Sequence, residues 1–340
     1  MPQLPRATST DLPRSTNLPR HGFGASGLGN LGRSLSDTAA QRVLRTAWQA
    51  GYRYFDTSPL YGYGLSELRL GQFLRGRPRD QFTLSTKVGR YLVPPRGRPI
   101  DTGIWAPPLG LSPVLDYGYD GTMRALEQSH SRLGLSDIDV VYIHDIDRRC
   151  HGADFAHHYR AAVDGAYRAL DELRSGGFVK AIGIGVNDAD AAADFMRDAD
   201  LDVVMLAGKY TLIDQSALTD CFPTALRRNV SIVAAGVFNS GILAKGPRLG
   251  ATYDYGLAPD DVISRVAKIE AICAEYAVPL PAAAAQFPLA HAAVTTVVLG
   301  MSRPENVVLS AELLAWKIPP ALWLELKSEG LLPQEAPVPA

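Results

Sequence analysis

The sequence predicts an α/β protein: a single (β/α)8 barrel of the TIM type, with long loops over its C-terminal face. Three observations carry that expectation. Short β-type runs alternate with longer amphipathic stretches eight times up to about residue 316. No break in composition divides the 340 residues, and a barrel takes about 250, so one core with long loops fits the length. The strand candidates are apolar throughout rather than alternating, as parallel strands covered on both faces should be.

In chain order, the strand candidates are Gly22–Gly24, Arg53–Asp56, Phe82–Lys87, Ile138–His144, Ala181–Val186, Val203–Leu206, Ser231–Ala235 and Thr295–Leu299. Helical patterns fill the gaps: Asp37–Ala50, Ser66–Leu74, Thr122–Leu133, Tyr159–Ser175, Ala189–Arg197, Ser216–Arg228, Asp260–Tyr276 and Pro304–Trp316. Ser36 before Asp37 suits a helix start, and Gly51, Gly134 and the Gly176–Gly177 pair suit helix ends. Val43 and Trp48, at helical spacing, read as core. Residues 1–19, rich in Pro, Arg, Ser and Thr, read as a flexible tail, 20–318 as the barrel and 319–340 as a C-terminal tail. Val88–Asp120, Lys209–Gln215 and Phe238–Pro259 are too long for simple turns, and all follow a strand's C-terminal end. They should crowd one mouth of the barrel. The first carries Trp105, Tyr117 and Tyr119, which suit a wall around an organic substrate.

Lys and Arg number 34 against 35 Asp and Glu, for a net charge of -1. That balance provides no basic face for nucleic acid or an anionic membrane, and makes a small-molecule substrate the expected partner. No stretch of about 18 apolar residues and no secretory signal is present, which predicts a cytoplasmic protein. Whether it is a monomer or a homodimer is not legible. Cys150, Cys221 and Cys273 lie far apart without a CxxC pair and read as buried small hydrophobes.

Gly22-Phe23-Gly24-Ala25-Ser26-Gly27 matches the GxGxxG pattern of dinucleotide-binding folds. That fingerprint needs a hydrophobic strand before it and a helix opening on its third glycine. Neither is present, so a tight glycine-rich first βα loop is the better reading.

Three strand candidates end in a polar residue after an apolar run: Asp56, Lys87 and His144. In a barrel such positions share the C-terminal face, where active sites are built. The loop after Asp56 hangs Tyr61 over the same face, shaped by Pro59 and its glycines. Together these four form an acid–base device. A free phenol is a poor base at neutral pH, but Lys87 would stabilise the phenolate, and lowering the tyrosine by about two units takes roughly 3 kcal/mol. Asp56 would hold Lys87 charged and oriented, and His144 would hydrogen-bond the substrate oxygen. Taken singly, the same residues could be a cap, a solvated strand end and a core histidine. His144, Asp145 and Asp147 with His151, His157 and His158 could instead suggest a metal. The HxH and HExxH spacings are absent, so a solvated cluster is favoured and no metal is expected.

Asp56-Thr57-Ser58-Pro59-Leu60-Tyr61, Ser85-Thr86-Lys87 and Tyr142-Ile143-His144 resemble the catalytic tetrad of the aldo-keto reductases. Lys180-Ala181-Ile182-Gly183-Ile184-Gly185 and the segment Val298–Asn306 extend the resemblance from about Phe23 to Leu313. It implies a barrel that binds NAD or NADP in extended form, and hydride transfer between nicotinamide and a carbonyl or carbinol carbon, with Tyr61 moving the proton. It also implies that Asn187 contacts the carboxamide, that Phe238, Asn239, Ser240 and Gly241 run along the pyrophosphate, and that Gly300, Ser302, Arg303 and Asn306 hold the adenosine end. Gly24, Lys209 and Leu243 join the cofactor set on the same ground. Independently, a glycine-flanked turn and the helix opening after Ser302 suit anions.

Three departures are visible: Gly185-Val186-Asn187 where the family has a Ser-Asn pair, Ala207 in place of a glutamine, and Ala235 or Gly236 in place of a stacking tyrosine. Ser302 stands where Arg is frequent, leaving Arg303 as the basic residue, which favours NAD with NADP as the alternative. Within the family, Tyr142–Asp147 with His151-Gly152 and Phe238–Leu243 is most similar to members that oxidise aldoses. L-fucose, D-arabinose or L-galactose would be oxidised at C1 to the lactone, with Trp105 and Asp145 touching the sugar. Oxidation of pyridoxal to 4-pyridoxolactone is the alternative. From other classes, Lys87 could form a Schiff base in a barrel aldolase, or the fold could be a cofactor-binding regulatory subunit.

Overall fold

The computed structural model describes residues 18–340. Its twelve strands, in chain order, are β1 (His21–Gly24), β2 (Tyr54–Asp56), β3 (Thr83–Val88), β4 (Arg90–Val93), β5 (Ser112–Leu115), β6 (Val140–His144), β7 (Ala181–Val186), β8 (Val203–Ala207), β9 (Ser231–Ala235), β10 (Thr252–Tyr253), β11 (Gly256–Leu257) and β12 (Val294–Gly300). Eight of them close a parallel barrel in the order β1-β12-β9-β8-β7-β6-β3-β2. Each corresponds to one of the eight sequence-predicted strands; β7 and β9 match to the residue, and the other ends shift by at most two residues.

The register is staggered around the barrel: Asp56 lies opposite Ser85, Lys87 opposite Tyr142, and His144 opposite Gly185. Side chains on a strand alternate between faces, so the pairs Tyr54/Asp56, Ser85/Lys87 and Tyr142/His144 all point into the barrel. Tyr54 and Tyr142 lie in an inner cluster with Val140, Val203, Met205, Val233 and Val298. The outward-facing residues pack against the helices in one continuous core. Leu18 joins the inner cluster from the N-terminal side, where the Thr296 hydroxyl donates to Pro19 O at 3.0 Å. The rest of the expected N-terminal tail, residues 1–17, lies outside the described residues.

The GxGxxG segment forms the end of β1 and a short 3₁₀ turn, Ala25–Gly29, with the first long helix starting only at Asp37. A Cβ on Gly27 would lie 2.8 Å from Ser302 Cβ, so its glycine serves close packing between two loops.

Residues 319–340 differ from the tail expected of them. Pro320–Ser328 is a helix, with Leu322, Trp323 and Leu326 fully buried, and Leu331, Leu332 and Ala336 are buried beyond it. Flanking prolines hide a short helix whose first position proline suits. Cys221 and Cys273 are buried as expected, but Cys150 is exposed, because it sits on a one-turn helix at the barrel mouth. Among the described residues no helix is long and apolar enough to cross a membrane.

Candidate active site

Asp56, Lys87 and His144, at the ends of β2, β3 and β6, meet at the C-terminal mouth. Lys87 Nζ donates to Asp56 Oδ1 at 2.8 Å, to Oδ2 at 2.7 Å and to Thr57 O at 2.9 Å. Both side chains are almost wholly buried. Burying the pair is tolerable only because every ammonium hydrogen is matched and the carboxylate has a further donor, Ser85 Oγ at 2.7 Å. Beneath it, Tyr54 OH lies 3.0 Å from Ser85 Oγ and 3.0 Å from Tyr142 OH. A bonded polar layer thus supports the ion pair from inside the barrel.

Tyr61 caps the pair: Lys87 Nζ lies 4.8 Å from its ring centroid, and the His144 ring stands edge-on at 5.9 Å. The Tyr61 loop is fixed by two glycines in backbone contact. A Cβ on Gly29 would come within 2.5 Å of Tyr61 C, and one on Gly62, whose φ is +64°, within 2.4 Å of Gly29 O.

Burial holds the His144 imidazole well below its ordinary value, with Lys87 and Arg90 adding to the effect. The ring is therefore neutral at physiological pH. Ser58 Oγ lies 3.2 Å from Nδ1 and already accepts from Leu60 N–H, so its own hydrogen is free to donate to Nδ1. That assignment leaves Nε2–H as the donor facing the mouth. Tyr61 differs from the expectation of a lowered phenol. Burial first, then Asp56, Asp145 and Tyr255, push it well above its ordinary value. Lys87 is gripped by both Asp56 oxygens, so its charge is largely offset before it reaches the phenol.

Trp105 is buried with its ring 5.8 Å from that of Tyr61. Tyr117 is instead a clamp: its hydroxyl donates to His144 O at 2.7 Å. Tyr119 turns away and donates to Glu172 on an outer helix. Asp145 sits at the mouth in a left-handed conformation, φ 56°, with Oδ1 3.5 Å from His144 Nε2. Its other oxygen accepts from Arg90 Nη1 at 2.9 Å.

The residues expected to hold a dinucleotide line the same rim. Asn187, one residue beyond β7, is oriented by Asp147, which accepts from its backbone N–H at 2.9 Å, and by Tyr255 OH, 3.2 Å from its Oδ1. Lys209 pairs with Asp214 at 3.2 Å, and both Asn187 and Lys209 line a cavity of about 310 Å³. Asn239, Ser240 and Gly241 all have positive φ, and Leu243 N–H returns to Phe238 O. Asn239 Oδ1 is buried without a hydrogen-bond partner, an acceptor free for a ribose hydroxyl or an amide. Gly24 packs against Leu299 O. Gly300, Ser302, Arg303 and Asn306 surround the start of the Pro304–Leu314 helix, whose N-terminus favours anions. These residues fit a nicotinamide dinucleotide.

Sequence reasoning missed five residues here. Arg33 donates to Ser302 O at 2.9 Å and to its Oγ at 3.3 Å, so Arg303 is not the sole basic residue at the adenosine end. Arg90 and Tyr255 come from two short hairpins with no periodic signal. Tyr54 and Ser85 could have been found, because each stands two positions before a residue already singled out.

Comparison with known proteins follows the same lines. The profile described as the aldo/keto reductase family matches residues 21–328. A D-threo-aldose 1-dehydrogenase from Pseudomonas sp. is 46% identical over 321 residues, 93% of this chain and 95% of that protein. A pyridoxal 4-dehydrogenase from Microbacterium luteolum is 42% identical, covering 92% and 94%. Among solved structures, an aldo-keto reductase from Bacillus halodurans in its holo form superposes with a TM-score of 0.71 at 23% identity, covering 94% and 93% of the two chains. It shows the barrel fold. With a profile match over residues 21–328 and relatives of 46% and 42% identity covering 93% and 92% of it, the chain belongs to the aldo/keto reductase family.

Proposed function

We propose that this chain oxidises the C1 carbinol of a cyclic aldose of the L-fucose, D-arabinose or L-galactose type with NAD, forming the lactone. The observation that carries the reading is Tyr61 held over the buried Asp56–Lys87 pair with a neutral His144 beside it. Nicotinamide, when bound, accepts the hydride that leaves C1 with its electron pair. The chain's residues handle the other half of the reaction. Nε2–H of His144 donates to the C1 oxygen and fixes which face of the sugar meets the cofactor. The hydroxyl proton passes to the Tyr61 oxygen, and the C1–O bond becomes the lactone carbonyl. Lys87, kept in place by Asp56, supports the Tyr61 ring from beneath, and with the phenol raised the phenolate acceptor becomes more available as pH rises. The 46% identity to an aldose 1-dehydrogenase supports the sugar as substrate.

NAD is the proposed cofactor. Arg33 is engaged by Ser302, and Glu305 stands two residues from Arg303, so a 2′-phosphate would meet a carboxylate as well as a guanidinium. Pyridoxal is the second reading, favoured by the Trp105 ring against Tyr61, which suits a flat aromatic substrate, and by the 42% relative. The test follows nicotinamide absorbance with NAD and with NADP against L-fucose, D-arabinose, L-galactose and pyridoxal. The expected result is a higher kcat/KM for an aldose with NAD. Turnover of pyridoxal alone would select the second reading, and turnover of none would refute both.

A further inference from the structure

Arg90 has no part in the proton and hydride steps, yet its side chain is largely buried at the mouth, with Asp145 as its partner. It opens β4 directly after Gly89, whose φ is +99°, and the β4–β5 ladder pairs it with Leu115. It is therefore carried on a hydrogen-bonded hairpin rather than a free loop. Asp145 is held as firmly. Its N–H donates to Gly185 O at 2.8 Å, and Tyr117 OH lies 3.2 Å from its carbonyl. A left-handed aspartate costs on the order of 1 kcal/mol or more, and burying an ion pair adds a desolvation cost, so this arrangement is not the cheapest way to fill the space. What it achieves is placement. One carboxylate oxygen lies 3.5 Å from the nitrogen of His144 that faces the substrate, and the guanidinium stands immediately behind.

We propose that Arg90 is a specificity residue, which together with Asp145 reads the hydroxyls next to the reacting carbon. The guanidinium donates to one hydroxyl oxygen and the carboxylate accepts from its neighbour's hydrogen. This inference rests on the aldose reading above. An acceptor-only group beside a donor-only group matches a vicinal diol, in which every hydroxyl both donates and accepts. A substrate without those hydroxyls leaves the remaining N–H groups of Arg90 and the remaining lone pairs of Asp145 desolvated without a partner, the situation in which hydrogen-bonding sites discriminate most strongly.

The experiment compares kcat and KM for an aldose and its 2-deoxy counterpart in the wild type, Arg90→Lys and Arg90→Met, with thermal melting to monitor folding. The wild type should prefer the 2-hydroxy sugar by about 100-fold in kcat/KM. Arg90→Met should raise KM for the hydroxylated sugar far more than for the deoxy sugar, collapsing the preference, while Arg90→Lys should restore part of it. An equal loss on both sugars would show a structural role only and overturn the assignment while the aldose reading stands. Absence of wild-type turnover on any aldose would remove both.

Discussion

Tyr61 must accept a proton during oxidation while burial and two nearby carboxylates hold it in its phenol form. Its raised value sets the sign of the pH dependence. Oxidation needs the deprotonated oxygen, so kcat for NAD reduction should climb from neutral to alkaline pH, and carbonyl reduction, which uses the phenol as acid, should weaken over the same range. Tyr61→Phe should lower kcat about 10³-fold, remove that rise and leave NAD affinity nearly intact, as a pH–rate series with cofactor titration would show. Full activity in Tyr61→Phe would assign the proton to another group. Lys87→Met strands Asp56 as a buried unpaired charge and should cost about 3–5 kcal/mol in urea denaturation. Most of that should return in Lys87→Met with Asp56→Asn. At this scale the sequence was informative where chemistry coincides with periodicity, since Asp56, Lys87 and His144 each end an apolar run. Arg90, Arg33 and Tyr255 were not legible, because their roles depend on where two short hairpins and one loop fold back over the mouth. The direction of the Tyr61 shift was also hidden, because it depends on distances to Asp56 and Asp145.

The elements that hold the site are strand ends and one glycine contact. Gly29 and Gly62 touch through their backbones, which fixes the turn carrying Tyr61. Gly62→Ala forces a Cβ into that contact at positive φ. It should cost about 1–3 kcal/mol and lower kcat more than it weakens NAD binding. Unchanged kcat would mean the loop position is not set there. The helix Pro320–Ser328 seals the far side of the core through Trp323, whose ring lies 6.2 Å from Phe287. Trp323→Ala should therefore lose about 3–5 kcal/mol in thermal or chemical unfolding. A shift within error would return the segment to the tail the sequence predicted. Sequence periodicity found the eight barrel strands because each is a run of apolar residues. It missed the two hairpins, β4–β5 and β10–β11, and this last helix, because short elements interrupted by Pro and Gly leave too few residues for a period to register.

For the whole molecule, eight repeats of one supersecondary unit made the barrel legible, and the described residues close a single barrel with a continuous core around it. Two buried histidines predict that acid destabilises the fold. Burial and Arg20 lower His21 from 6.5 to about 4, and His144 shifts in the same direction. Between those values the unfolded chain binds a proton that the folded chain refuses. Stability therefore rises with pH through that window and levels off above 6.5. His21→Gln should remove one such contribution, so that on going from pH 7 to pH 5 it loses about 2 kcal/mol less than the wild type. Equal losses would place the sensitivity elsewhere.

Hydride loss from C1 is the central chemical step, and L-fucose deuterated at C1 reports it directly. Incubated with the protein and NAD, it should yield the lactone and a reduced cofactor carrying one deuterium at nicotinamide C4. A reduced cofactor without deuterium would contradict oxidation at C1.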